Sequence, residues 1–231
     1  YYTICSTLVS SSGERGRAGI LRRMVIQKVG AHCFKFSAGP VTVALNPPDS
    51  KGTLKVNKFG SDLVLISTRH LDWDGAETAS HGDKKPFVIQ SPGAYEVGEI
   101  TVAGFGTPSS YDGEELEVGN TAYVFDMDGI RVLALGALSS TKLPQDLRAE
   151  LDDIGIVLVP VGDGTLDPKA AHELMVTLEP KIIIPYGVGP DGDKAVAAFC
   201  KAEGESPKAE EKLTIRAKEV AAKDGEVVLL S

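Results

Sequence analysis

The chain has 231 residues, 42% hydrophobic, 24% charged and 6% aromatic, with 25 Gly, 13 Pro and 3 Cys, a globular composition with enough apolar material for a sizeable core. Its longest apolar runs, Leu63–Ile66 and Ile154–Val161, have strand length and exclude a membrane-spanning helix. Cys5, Cys33 and Cys200 lie too far apart for a disulfide framework or a cysteine zinc knuckle, and the net charge of −8 speaks against a general nucleic-acid binder.

Residues 1–23 have no hydrophobic periodicity, begin without Met and set Arg15, Arg17, Arg22 and Arg23 against Glu14 alone, which leaves the remainder at −11. A Ser- and Arg-rich, acid-poor leader can be a transit peptide, and the start Tyr-Tyr-Thr-Ile-Cys lacks the apolar core of a secretory signal. We read the segment as a non-native or disordered leader, the domain as residues 24–231, and the compartment as reducing and cytoplasmic.

From Met24 the pattern is strand after strand. Met24–Val29, Cys33–Ser37 and Val41–Asn46 are short, β-branched and separated by Gly, as in a meander. Asp62–Ser67 contains a continuous apolar run, the mark of a strand covered on both faces. Pro86–Gln90, Tyr95–Val97 and Glu99–Phe105 follow, and Thr121–Asp126 turns through Asp128-Gly129 into Ile130–Leu135, a strong hairpin signal.

The second half alternates. Pro144–Asp152 reads as helix, Ile156–Val161 as buried strand, and Asp167-Pro168 supplies an N-cap and first-turn proline for a helix to Leu178. Lys181–Pro185 is a further buried strand, completing a β-α-β unit. Asp193–Glu203 reads as helix, Gly204–Glu211 as a polar linker, and Leu213–Arg216 and Val227–Leu230 as strands. Two sheets packed face to face with helices outside account for this order in one domain.

The order resembles the metallo-β-lactamase fold, in its small stand-alone hydrolase-like branch. Gly30-Ala-His-Cys-Phe34, Val43-Ala-Leu-Asn-Pro47, Leu65-Ile-Ser-Thr-Arg-His-Leu-Asp-Trp73, Asp128-Gly-Ile-Arg-Val-Leu-Ala-Leu-Gly136, Leu158-Val-Pro-Val-Gly162 and Leu178-Glu-Pro-Lys-Ile-Ile-Ile-Pro185 carry the likeness. The resemblance implies an α/β fold of α+β type, an αββα sandwich of two mixed β-sheets with helices on the outer faces. It also implies a dinuclear zinc centre on a Thr-His-x-His-x-Asp-His loop with later His and Asp ligands, since catalytic zinc needs several imidazoles and carboxylates and an open position for water.

This chain departs from that motif. Its loop reads Ser67-Thr68-Arg69-His70-Leu71-Asp72-Trp73, so His70 and Asp72 match while Thr68 and Trp73 stand where imidazoles belong. Gly136-Ala137-Leu138 replaces Gly-Asp-Thr, Tyr186-Gly187 follows Ile-Pro without the last His, Gly104–Ser109 lacks the middle His, and Asn46 stands for an Asp. The sequence therefore predicts a hydrolase-like protein whose dinuclear site is largely lost, with a binding or scaffold role and Trp73 filling the cavity. The alternative is a hydrolase of esters, lactones or phosphoesters, with His70 as general base oriented by Asp72 or one weakly held Zn or Mn ion on His70, Asp72 and His32 or Asp74.

Of the other histidines, His81 reads as surface and His172 as the solvated face of a helix, while the one-residue displacement of His32 along a strand turns it away from the cleft. Cys33 is expected to pack in the first hairpin and Cys200 on its helix. Tyr95, Thr107, Tyr111, Asn120 and Tyr186 fall near the expected cleft, where a small polar molecule is the partner they suit. Gly187-Val-Gly-Pro-Asp-Gly192 has the spelling of a phosphate-cradling turn, but Pro190 removes one N–H and a plain loop is the better reading. Ser139-Ser-Thr-Lys142 spells S-x-x-K without the partner motifs that a serine nucleophile needs; Ser139 and Ser140 are expected only to line a pocket.

Overall fold

The structure, a computed structural model, describes residues 22–113 and 115–231. Most of the leader expected over residues 1–23 lies outside the described residues. Strands β1 (Met24–Lys28), β2 (Phe34–Ala38) and β3 (Val41–Leu45) form the expected meander, followed by β4 (Leu63–Leu65), β5 (Phe87–Ile89), β6 (Gly93–Val97), β7 (Ile100–Ser109), β8 (Leu116–Met127) and β9 (Ile130–Ala134). After the short helix α1 (Gln145–Ala149) come β10 (Ile156–Gly162), α2 (Pro168–Leu178), β11 (Ile182–Val188), α3 (Gly192–Ala202), β12 (Leu213–Ile215), α4 (Ala217–Ala221) and β13 (Glu226–Val227).

They build two mixed sheets, in the order β12-β1-β2-β3-β4-β5 and β13-β11-β10-β9-β8-β7-β6. Alternation decides which side chains meet between them. Phe34, Phe36, Val43, Leu45, Leu63 and Leu65 of the first sheet pack against Tyr123, Phe125, Val132, Ile156, Leu158 and Ile184 of the second, in one core. The opposite face of the second sheet, with Leu133, Val157, Val159 and Ile183, is covered by Leu174 and Met175 of α2 and Val196 and Phe199 of α3. Strands β9, β10 and β11 are thus buried on both faces, which is why they read as continuous apolar runs. On the first sheet the outer face is thinner: Ala44, Val64 and Ile66 meet Ala79 of the 3₁₀ turn Ala76–Ala79 and Phe59.

Local signals set the element ends. Asp128 and Gly129 both adopt positive φ, 52° and 76°, the left-handed pair of a tight hairpin between Met127 and Ile130. Asp167 caps α2, its Oδ1 accepting N–H bonds of 2.9 Å from Lys169 and Ala170, with Pro168 in the first turn. Asp167→Ala is expected to lower stability by about 1 kcal/mol, read from the shift in urea midpoint at unchanged slope; an unshifted midpoint shows that the cap contributes nothing.

Three bonds clasp the sheets together where β4 ends. The Tyr123 hydroxyl donates to the Ile66 carbonyl (2.7 Å), the Thr121 N–H to the Ser67 carbonyl (2.7 Å) and the Thr68 hydroxyl to the Gly119 carbonyl (2.7 Å). They fix the take-off of the loop that carries His70 and Asp72.

Candidate functional site

The loop leaves β4 at Ile66 and is held at its root by Asn46, which ends β3 at φ 50° and accepts the Ser67 N–H on Oδ1 (2.8 Å). Further along, the His70 carbonyl accepts N–H bonds of 2.8 Å from both Trp73 and Asp74, a tight turn that throws Trp73 inward and leaves His70 and Asp72 at the mouth. Trp73 is 0% exposed. Its indole lies flat on the His32 imidazole, with centroids 4.1 Å apart and planes within 6°, and the Tyr111 ring meets Trp73 edge-on at 5.3 Å and His70 at 5.1 Å.

The structure brings His70 and Asp72 together, in a particular hand. The Asp72 backbone N–H donates to His70 Nδ1 (3.1 Å), while the Asp72 carboxylate stands 3.7 Å from that nitrogen. A ring nitrogen that accepts an N–H carries no proton, so in the neutral ring the proton sits on Nε2, which faces Asp112 Oδ2 at 3.9 Å. A base of the Ser-His-Asp type needs the reverse, Nδ1–H on the carboxylate and a free lone pair on Nε2. Asp72 is occupied otherwise: Oδ2 accepts from the Tyr111 hydroxyl and Oδ1 from Thr53 Oγ1, both at 3.3 Å.

His32 faces this cluster, contrary to the expectation that its displacement turns it away. Residues 30–33 form a turn between β1 and β2 rather than strand, so the two-residue alternation behind that expectation does not apply there. Its ring is 3% exposed, and neither nitrogen has a hydrogen-bond partner. Burial pushes its pKa down to about 4, with Lys28 and His70 adding to the effect and Asp72 opposing it. Burial also raises the Tyr111 hydroxyl; the Trp73 indole opposes this, close to the phenol oxygen but outside hydrogen-bond geometry, and the charges of Asp72 and Asp112 add to the rise. Seven buried side-chain polar atoms among the described residues lack a partner, and five of them belong to His32, Asn46, Ser67 and Trp73 at this end of the sandwich.

An orphaned His32 nitrogen is a donor a cation could use, but among the described residues no group of three His, Cys, Asp or Glu converges as a metal site. Asp74, weighed as a third ligand, lies in the field of Arg69 and Asp49, its carboxyl pushed up by burial first and by Asp49 next, with Arg69 opposing. Gly136 and Ala137, where the resemblance puts Gly-Asp, are tied into the core: Ala137 N–H donates to Asn120 Oδ1 (2.7 Å) and the Tyr186 hydroxyl to the Gly136 carbonyl (2.5 Å).

The remaining expectations divide. Asn120, Thr107 and Tyr186 are interior rather than rim residues, since Asn120 Nδ2 donates to Thr107 Oγ1 (2.7 Å) and the Leu135 carbonyl (2.8 Å). The Tyr95 hydroxyl closes a turn on the Ser91 carbonyl (3.0 Å), and only Tyr111 joins the cluster. His81 is exposed as expected. His172 keeps about a third of its side chain in solvent and is also paired through Nδ1 with Glu203 Oε1 at 3.0 Å, tying α2 to the end of α3. Ser140 Oγ accepts the Lys142 N–H (3.2 Å) in a turn, and Cys33 and Cys200 are buried with thiols pushed up by burial. In the glycine-rich loop a Cβ on Gly187 would stand 2.4 Å from the Gly192 backbone, so close chain approach accounts for its glycines without a phosphate. Asp112 was not singled out from sequence; the turn Tyr111-Asp112-Gly113 signals a bend but not its placement over His70.

The family described as "Beta-lactamase superfamily domain" matches residues 25–187. Among solved structures, the chain is similar to a Thermotoga maritima protein described as a candidate zinc-dependent hydrolase of the metallo-beta-lactamase superfamily. The two share 27% identity and a TM-score of 0.70, over 90% of this chain and 98% of that one. A candidate metal-dependent hydrolase from Parabacteroides distasonis (16% identity, TM-score 0.61, 82% and 94% covered) and the metallo hydrolase Igni18 of Ignicoccus hospitalis (20%, 0.58, 84% and 99%) share the fold. No curated protein matches the chain.

Proposed function

The chain belongs to the beta-lactamase superfamily, and on that premise we propose that it is a hydrolase-like member whose dinuclear metal site is largely lost and whose role is binding or scaffolding toward a small polar molecule. Trp73 carries this reading. Fully buried and stacked on His32, it occupies the place of a metal-binding imidazole with a side chain that offers no lone pair to a cation. The His70 Nδ1 bond to the Asp72 N–H supports the same reading, because it leaves no basic nitrogen pointing out of the loop. In this the chain departs from the neighbours whose names make them metal-dependent hydrolases. Nucleic acid is not the proposed partner, since a body at −11 as a whole repels a phosphate backbone. No helix among the described residues is long and apolar enough to cross a membrane.

Elemental analysis of the full chain tests the proposal. We expect far less than one Zn or Mn per chain after purification with metal supplied, and no turnover across an ester, lactone and phosphoester panel with either ion added. A stoichiometric metal that His70→Ala removes, or hydrolysis lost in His70→Ala and Asp72→Asn, establishes instead the rearranged hydrolase with His70 and Asp72 at its centre.

A further inference from the structure

A groove of about 300 Å³ opens between the start of β8, the residues that join β5 to β6, and the root of the Ser67–Asp74 loop, and neither His70 nor Asp72 lines it. Its volume is at the small end of the range for small-molecule sites. A register shift builds one wall. The pairing of β7 with β8 joins Thr107 to Asn120 and resumes with Ser109 opposite Leu116, so β8 takes four steps where β7 takes two. The extra residues turn Leu116 and Val118 outward, where they keep 50% and 70% of their surface in solvent. Two glycines seat these side chains. A Cβ on Gly119 would stand 2.8 Å from Leu116 Cβ, and a Cβ on Gly106 would stand 2.7 Å from Val118 Cγ1. Neither glycine has a positive φ, so what each supplies is space. The chain leaves out two Cβ atoms to hold at its surface two aliphatic side chains that belong to none of its core clusters.

The other walls are Pro92, Gln90 and Ser91, all exposed, and Arg69. Among the described residues that line the groove, Arg69 alone carries a charge. It is exposed, takes part in no ion pair among the described residues, and acts on Asp74 only through its field. Glu115 and Glu117 adjoin Leu116 in the chain but do not line the groove. A guanidinium with no carboxylate beside it in a groove is a planar fork for an oxyanion, and it suits a carboxylate and a phosphonate or phosphate head alike. Exposed aliphatic side chains facing the same space are surface that a ligand's body can cover. We infer that this groove binds a small organic anion with an apolar body, its oxyanion head on Arg69 and its body against Leu116 and Val118. Arg69 disfavours a cation, and inorganic phosphate leaves the apolar wall uncovered.

Isothermal titration of the full chain with sodium phenylacetate and with phenylphosphonate tests it, against 2-phenylethanol, 2-phenylethylamine and inorganic phosphate as comparisons. We expect saturable one-site binding of at least one of the two aryl anions, the tighter of them identifying the head group, and weaker binding of all three comparisons. Arg69→Gln should lose about tenfold in affinity and Val118→Ser about fivefold. Both side chains are exposed, so neither change removes a core contact. Absence of saturation with both aryl anions, a comparison compound binding as tightly as they do, or full affinity in either variant overturns the inference. None of these outcomes bears on the metal content of the chain, so this site and the reading of the His70 loop fail separately.

Discussion

Trp73→Ala is expected to cost about 4 kcal/mol of stability, the largest effect of any single change considered. The indole is fully buried and belongs to the core between the two sheets, where it touches His32 on its face and Tyr111 at its edge. Truncation removes the transfer free energy of the ring, leaves a void that the clasped loop root cannot collapse into, and forfeits about 1 kcal/mol of aromatic stacking. One term runs the other way: the Trp73 N–H is buried without a partner, so removing it recovers part of the loss. Trp73→Phe separates these terms, since it keeps a stacking ring and deletes the orphaned donor, and should cost no more than about 2 kcal/mol. Urea unfolding followed by far-ultraviolet circular dichroism gives both numbers. A Trp73→Ala protein within about 1 kcal/mol of the parent shows that the indole is not an integral part of the core.

A comparable effect is expected from acid alone, through His32. Its folded pKa of about 4 lies below the ordinary 6.5, so between these values the unfolded chain binds a proton that the folded chain refuses. The sign follows: stability is unaffected by this group above about pH 6.5, falls as pH drops through the window, and levels off below about pH 4. The total is about 3 kcal/mol. Comparing the parent with His32→Phe isolates it, because the other titrating groups cancel in the difference. The variant should gain on the parent by about that amount between pH 7.5 and 4. Parallel pH curves for the two proteins exclude the depressed His32 titration.

What could be read from the sequence follows from how local each cause is. The β10-α2-β11 unit was legible because its strands are apolar on both faces and its helix starts on Asp167-Pro168, signals confined to a few neighbours. Strand β8 begins at Leu116, five residues before the expected start, because pairing with β7 across a register shift imposes extension on exposed residues that show no alternation. Helix α4 was missed since five residues carry no period; Glu219 returning to the Arg216 N–H (2.8 Å) organises it. In the site, the proximity of His70 and Asp72 followed from their spacing on one loop. That His70 accepts a backbone N–H did not, nor did the arrival of Asp112, 42 positions away in the chain. The pairing of His172 was not legible because its partner Glu203 lies 31 residues on and enters only when α2 and α3 pack.

The chain has a single tryptophan, and it is the one pressed against His32. The indole emission of the whole protein therefore reports on one end of the sandwich and is silent about the other. An imidazolium in face contact with an excited indole is a good electron acceptor, so protonation of His32 should be visible as quenching with no labelling at all. Unfolding that begins at the edge near β6 or in the loops beyond α3 will leave that light unchanged.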